Sequence, residues 1–539
     1  MHSGRSRREF IKEASIAVPL SALVAPGASA GTLNYVTAET TLGNIRGTDE
    51  DGIKTFKGIP YGANTSGANR FMPPKHAPKW AGVKDALKYG WSAPQNEPGK
   101  PVRTSDVAVA GAGLMPENED CLMINLWTPG LNDGRKRPIM FWCHGGGFAS
   151  GSGSSPITAG HNLAKRGDVV VITVNHRLNC LGFTNLAALG PDFANSSAVG
   201  MMDLVMALNW VKDNAAQFGG DAGNVTIFGQ SGGGSKVSTL LAMPSAKGLF
   251  HRAIVESGPS LKAVTPEAGE KAAILLLAAL GLSKANAKNI QTVPINMLMS
   301  AYFAAMRDPS QNGRAFSPNM GNKILPDHPF FPNASPVSAN VPLMIGNTMT
   351  EWTTFDDQTN PEYFSLNEKT MHEEVEKLVG ADAGEVIAVY KKANPGMSPP
   401  DIFFRIQSDQ RMGAPTLKEA ERRAGLKQGP VYLYYFTWLS PMKGGKYRAP
   451  HTVEIPFAWD TIKTANLTNS SPVAQTLADK VSASWIAFAR TANPNVPSLP
   501  HWPAMDATNW QTMVFNNESK MVNDPISAQR KVLFEVMKL

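Results

Sequence analysis

A chain of 539 residues with 42% hydrophobic and 18% charged residues has an ordinary globular composition and can bury a large core. The formal net charge of +7 is scattered, with no run of five or six Lys or Arg, which argues against nucleic-acid binding. After the first thirty residues no apolar run is long enough to span a bilayer.

Residues 1 to 30 read as a targeting segment, not as part of the fold. Arg7 and Arg8 form a twin-arginine pair, Phe10 and Lys12 follow, a modest apolar stretch runs from about Ile16 to Val24, and Ala28-Ser29-Ala30 is a small-residue cleavage site. This order resembles a bacterial twin-arginine (Tat) signal. It implies engagement with the Tat export machinery and a periplasmic or secreted mature protein. Residues 31 to 539 would then be one domain.

The mature chain opens on "TTLGNIRGT" and "IKTFKGIPYG", which read as a small antiparallel hairpin region. Short apolar runs follow: "PIMFWCHGGGF", "DVVVITVNHR", "NVTIFGQSGGG", "HRAIVESG", "VPLMIGNTMTE" and "VYLYYFTW". Continuous rather than alternating apolarity predicts strands covered on both faces, as in a large, mostly parallel sheet. Between them, "MMDLVMALNWVKDNAAQF" and "EKAAILLLAALGL" carry apolar residues at three- and four-residue spacing, the helical period. Strand and helix in alternation predict an α/β fold. "KKANPGMSPPD", at 391 to 401, reads as a surface loop rather than a domain linker. The three cysteines, Cys121, Cys143 and Cys180, lie in or beside apolar segments and are expected to be buried free thiols.

One stretch, "VTIFGQSGGGSKVSTLLAM", admits two chemistries. A phosphate cradle of the Walker type needs Lys directly after its last glycine, but Ser235 stands there and Lys236 comes one place late, about 100° around a helix. The other reading is G-x-S-x-G, supplied by Gly229-Gln230-Ser231-Gly232-Gly233 between an apolar strand and a helical pattern. That layout puts a serine on a sharp strand-to-helix turn, with its hydroxyl exposed at the edge of a sheet. Such a serine needs N–H donors for an oxyanion, and "HGGGF", residues 144 to 148, follows a strand about eighty residues upstream.

With these two elements in order, the chain resembles the type-B carboxylesterases of the α/β-hydrolase fold, a group that includes para-nitrobenzyl esterases and cholinesterases. The resemblance is carried by "FKGIPYG", "RFMPP", "ENEDCLMINLWTP", "HGGGF", "VNHRLNCLGF", "WVKDNAAQFGGDAGNVTIFGQSGGG", "FHRAIVESG", "VPLMIGNTMTEWTTF" and "HTVEIPFAW", from about residue 40 to 500. It implies a serine ester hydrolase that needs no metal or organic cofactor.

The fold's order of Ser, acid, His narrows the remaining candidates. Glu351 follows the strand-like "VPLMIGNTMT" and matches the family's acid, with Asp356 and Asp357 close by. Of the histidines beyond it, His372 lies in a charged helical pattern and His501 in a proline-bounded tail. His451 follows the last strong strand and matches the family's His-x-x-Glu with Glu454. Ser231 is thus expected to attack, His451 to move the proton, Glu351 to orient the imidazole, and the N–H groups of Gly146, Gly147 and Gly232 to bind the oxyanion. Each such donor contributes on the order of 3 kcal/mol.

The chain departs from the family at several points. Gln230 and Gly232 flank the nucleophile where Glu and Ala are usual, which puts the rigidity of the turn in question. Cys121 matches one half of the family's disulfide, but the partner position falls near Ala93, so this loop is expected to be unbridged. Residues 93 to 121 also lack the tryptophan with which cholinesterases bind choline, and "ESGPSLKAVTPEAG" has no aromatic to narrow the acyl side. These features predict acyl groups larger than acetyl and argue against a cholinesterase. An amidase or carbamate hydrolase on the same residues, and a non-catalytic binding protein of the same fold, are the alternative readings.

Overall fold

The apolar runs assemble into one mixed sheet of thirteen strands in the computed structural model, which describes residues 34–101, 115–310 and 315–539. The twin-arginine segment, residues 1 to 30, lies outside the described residues. The strands are β1 (Asn34–Thr40), β2 (Gly43–Glu50), β3 (Ile53–Pro60), β4 (Val83–Asp85), β5 (Met123–Thr128), β6 (Arg137–Cys143) and β7 (Val170–Val174). They continue as β8 (Gly220–Gln230), β9 (Arg252–Glu256), β10 (Leu343–Thr348), β11 (Val431–Phe436), β12 (Gln511–Phe515) and β13 (Lys520–Asn523).

Their order across the sheet is β1-β2-β3-β5-β7-β6-β8-β9-β10-β11-β12-β13, with β4 pairing beside β2. From β7 to β12 every neighbouring pair is parallel. The pairs β1–β2, β2–β3, β3–β5 and β5–β7 at one flank, and β12–β13 at the other, are antiparallel. The N-terminal hairpin region is therefore antiparallel, as expected, and forms one edge of the main sheet.

The central strands are buried on both faces. Every residue of β6, β7, β10 and β11 is buried. Alternation then divides them between two cores: Ile139, Phe141, Ile172, Ile227 and Val255 on one side, Met140, Trp142, Val171, Phe228 and Ile254 on the other. The helix Val199–Asn214 covers the first face with Met201, Leu204, Leu208 and Val211; the helix Pro472–Thr491 covers the second with Leu477, Val481 and Trp485. Each such side chain contributes about 1.5–3 kcal/mol relative to exposure.

Two features position the site. Chain order reverses between β6 and β8, since β6 runs on to β7 on one side and meets β8 on the other, and the crevice beyond such a switch is where α/β sheets bind ligands. The register Cys143↔Gly229 also brings the segment after β6 level with the segment after β8.

All three cysteines are buried and unpaired. Of "KKANPGMSPPD", only residues 394–398 form a turn; its two ends belong to the helices Ala383–Ala393 and Pro399–Ser408. No helix among the described residues is long and apolar enough to cross a membrane.

Candidate active site

The turn after β8 has the predicted strained geometry. Ser231 sits at φ 58°, ψ −126° between β8 and the helix Gly232–Leu240, and its N–H donates to Glu256 O at 2.8 Å. Glycine at 233 is obligatory, because an ideal Cβ there would stand 2.0 Å from Cys143 O on the neighbouring strand. Among the described residues the Ser231 hydroxyl has no hydrogen-bond partner, and it faces a cavity of about 740 Å³ that His451 also lines.

Glu351 and His451 are brought together from the ends of β10 and β11. The Glu351 carboxylate is fully buried and accepts three hydrogen bonds: Thr348 N–H at 2.7 Å and Ser257 Oγ–H at 2.7 Å on one oxygen, His451 Nδ1–H on the other. The backbone closes the same contact, with His451 N–H donating to Glu351 O at 3.2 Å. Nδ1 being the donor, Nε2 is left free to accept a proton. His372 and His501 are exposed. Asp356 is buried away from the imidazole, and Asp357 pairs with Lys443, Lys446 and Tyr447.

The glycine loop after β6 presents its donors by elimination. Gly145 O accepts from His144 Nδ1–H at 2.8 Å, and Gly146 O accepts from the N–H groups of Ala149 and Ser150 at 3.2 and 3.0 Å. A trans peptide points its N–H opposite to its carbonyl, so the Gly146 and Gly147 N–H groups are turned the other way. Among the described residues neither has a partner. Gly232 N–H, first in its helix, also lacks an intrahelical acceptor. The two segments touch: an ideal Cβ on residue 232 would lie 2.3 Å from each of N, Cα and O of Gly147.

Several residues of the site were given no supporting role from sequence. The Gln230 side-chain nitrogen lies 3.3 Å from both ring nitrogens of His451, resting against the imidazole. Ser257 follows β9 at the same sheet edge, and its Oγ also lies 3.1 Å from Glu454 Oε1. Burial, then the Glu351 and Glu256 charges, raise Glu454 well above the usual carboxylate range, so a neutral Glu454 can share a hydrogen with Ser257 while Ser257 donates to Glu351. Glu256, whose Oε1 accepts from Trp485 Nε1–H at 2.7 Å, is itself pushed up to about 7 by burial. The readable signal for Ser257 was topological: it directly follows a parallel strand adjacent to β8.

Among the described residues no group of three His, Cys, Asp or Glu side chains is arranged to hold a metal ion.

A serine on a strained strand-to-helix turn, a glycine loop packed against that turn and a buried His–Glu pair thus meet beyond the parallel strands of an α/β-hydrolase fold. The chain belongs to the carboxylesterase family, whose model matches residues 34–533, and is a carboxylic ester hydrolase. It is 32% identical over 503 residues to the para-nitrobenzyl esterase of Bacillus subtilis, covering 92% of this chain and 98% of that protein. It is 33% identical over 500 residues to the phenmedipham hydrolase of Pseudarthrobacter oxydans, covering 90% and 96%. The carboxylesterase EST55 of Geobacillus stearothermophilus superposes with a TM-score of 0.80 at 32% identity, covering 92% of this chain and 99% of that one.

Proposed function

We propose that this ester hydrolase works through an acyl-enzyme formed on Ser231, with His451 as general base and acid and Glu351 as its partner. The observation that carries the reading is that strained Ser231, Gly147 of the glycine loop with its unpaired N–H groups, and His451 line one cavity, with Glu351 buried behind the imidazole. His451 Nε2 takes the Ser231 proton as Oγ attacks the ester carbonyl; the buried Glu351 carboxylate stabilises the resulting imidazolium. The negative charge that develops on the carbonyl oxygen is held by the N–H groups of Gly146, Gly147 and Gly232, already oriented before substrate arrives. The imidazolium returns the proton to the leaving alcohol. Water then repeats the cycle on the acyl-enzyme. In free enzymes the serine–histidine contact is often long and tightens around bound substrate, which fits the unpaired Ser231 hydroxyl. The twin-arginine segment supports export of the folded precursor to the periplasm or beyond. A 4-nitrophenyl alkylphosphonate is expected to label one residue per chain, Ser231, with loss of all esterase activity. Peptide mapping that finds the label elsewhere would sink the assignment.

Substrate preference follows from the cavity walls. Phe316, Phe331, Trp352 and Phe355 supply apolar surface, while Lys262, Arg411 and Lys538 are the charged side chains that join His451 there. No Asp or Glu side chain lines the cavity among the described residues, so a quaternary ammonium meets cationic side chains there and no side-chain counter-charge. Aromatic residues thus line the space without closing it. Each further acyl methylene adds up to about 0.8 kcal/mol of buried contact, about fourfold in kcat/KM. Specificity is expected to rise from 4-nitrophenyl acetate to butyrate, with acetylcholine a poor substrate. A sharp preference for acetate or for the choline ester would contradict the open, cation-lined site.

A further inference from the structure

Lys236 drew notice in the sequence only as a lysine out of place for a phosphate cradle. In the structure it is fully buried on the helix Gly232–Leu240, and among the described residues no carboxylate lies within salt-bridge distance of it. Its Nζ donates to His144 O at 2.8 Å and to Gly147 O at 2.9 Å, and lies 5.6 Å from the centre of the Phe148 ring. The groups that face it are neutral. Burial pushes the Cys143 thiol up to about 12 and, with the nearby Lys236 charge, holds His144 and His176 well below the ordinary imidazole range. An ammonium in such surroundings is costly to bury, and burial lowers Lys236 itself to about 7. A methionine of similar length would fill the same space without that cost.

What the lysine does contribute is the last two bonds of the glycine loop. Gly145 O and Gly146 O are already occupied by His144 Nδ1–H and by Ala149 and Ser150 N–H. Lys236 occupies the carbonyls at either end, so all four carbonyls from 144 to 147 have donors while the Gly146 and Gly147 N–H groups remain free. We propose that Lys236 is a positioning residue for the oxyanion hole, clamping both ends of the turn so that the Gly146 and Gly147 N–H groups stay aimed at the oxygen of the carbonyl attacked by Ser231. The proposal rests on the acyl-enzyme reading above. It predicts an effect on the transition state and none on ground-state binding, because the clamped groups meet full negative charge only as the oxyanion forms.

The test compares the wild type with Lys236→Met and Lys236→Gln, using 4-nitrophenyl butyrate, a trifluoromethyl ketone that adds to Ser231 as a tetrahedral oxyanion, and the corresponding methyl ketone. Phosphonate titration counts the folded sites in each. The expected result is a fall in kcat of about 10- to 100-fold with KM within about twofold of wild type. Affinity for the trifluoromethyl ketone should drop by a similar factor while the methyl ketone binds as before, and the melting temperature should not fall. A kcat within twofold of wild type, parallel losses for both ketones, or failure of both variants to fold would overturn the proposal, the last because the lysine would then be holding the fold and not the loop. If the wild type itself does not label at Ser231, the acyl-enzyme reading fails and this proposal falls with it.

Discussion

Ser231→Ala is expected to lower kcat for 4-nitrophenyl butyrate by about 10⁴- to 10⁶-fold while leaving the melting temperature within a few degrees of wild type. The hydroxyl it removes has no hydrogen-bond partner among the described residues and faces the cavity, so the fold has little to repack. His451→Ala should be as damaging, because a serine without its base is as ineffective as a base without its serine. Glu351→Gln leaves both in place but puts an amide where a buried carboxylate accepts three hydrogen bonds, and about 10⁴-fold is expected. His501→Ala, at an exposed position, serves as the control and should retain wild-type rates. Survival of a tenth of wild-type activity in Ser231→Ala would remove it as the nucleophile. Equal activity in His451→Ala and His501→Ala would remove His451 as the base.

The strands that carry the site were legible because strands buried on both faces have no polar positions to interrupt them. The six apolar runs correspond to β6 to β11 within a few residues at each end. Less legible were β5, inside "CLMINLWTP", and the C-terminal pair "QTMVF" and "KMVN", short segments in which two polar residues weaken the pattern. The residues proposed to carry the chemistry could be picked out because a strand end, a glycine loop or the family resemblance marks each of them. Their supports could not. Gln230 against the imidazole, Ser257 on Glu351 and Lys236 beneath the glycine loop are ordinary polar residues whose partners lie between 89 and 221 positions away in the chain. No local spacing encodes such contacts; they appear only when parallel strands align their ends.

Gly232→Ala carries the second large effect, and it reverses the reading that glycine there merely loosens the turn. Alanine is usual at this position in the resembling family, yet in this chain a Cβ on residue 232 would stand 2.3 Å from N, Cα and O of Gly147, far inside contact distance. One side must move. The serine turn is pinned by its place between β8 and the helix and by the Ser231 N–H bond to Glu256 O. The glycine loop is held from the other side by Lys236, by Ser150 and by the Asn179 N–H, which donates to Phe148 O at 2.7 Å. Gly147 N–H is one of the proposed oxyanion donors, so Gly232→Ala, which displaces it, is expected to reduce kcat by about 10²- to 10³-fold with little change in KM. Because the loop yields only if its clamp is released, Lys236→Met should cost much less in the Gly232→Ala background than alone, a non-additivity readable in a double-mutant cycle. Gly232→Ala with kcat within threefold of wild type would mean that the loop and the turn can part without loss, and that Gly147 N–H is not one of the groups holding the oxyanion.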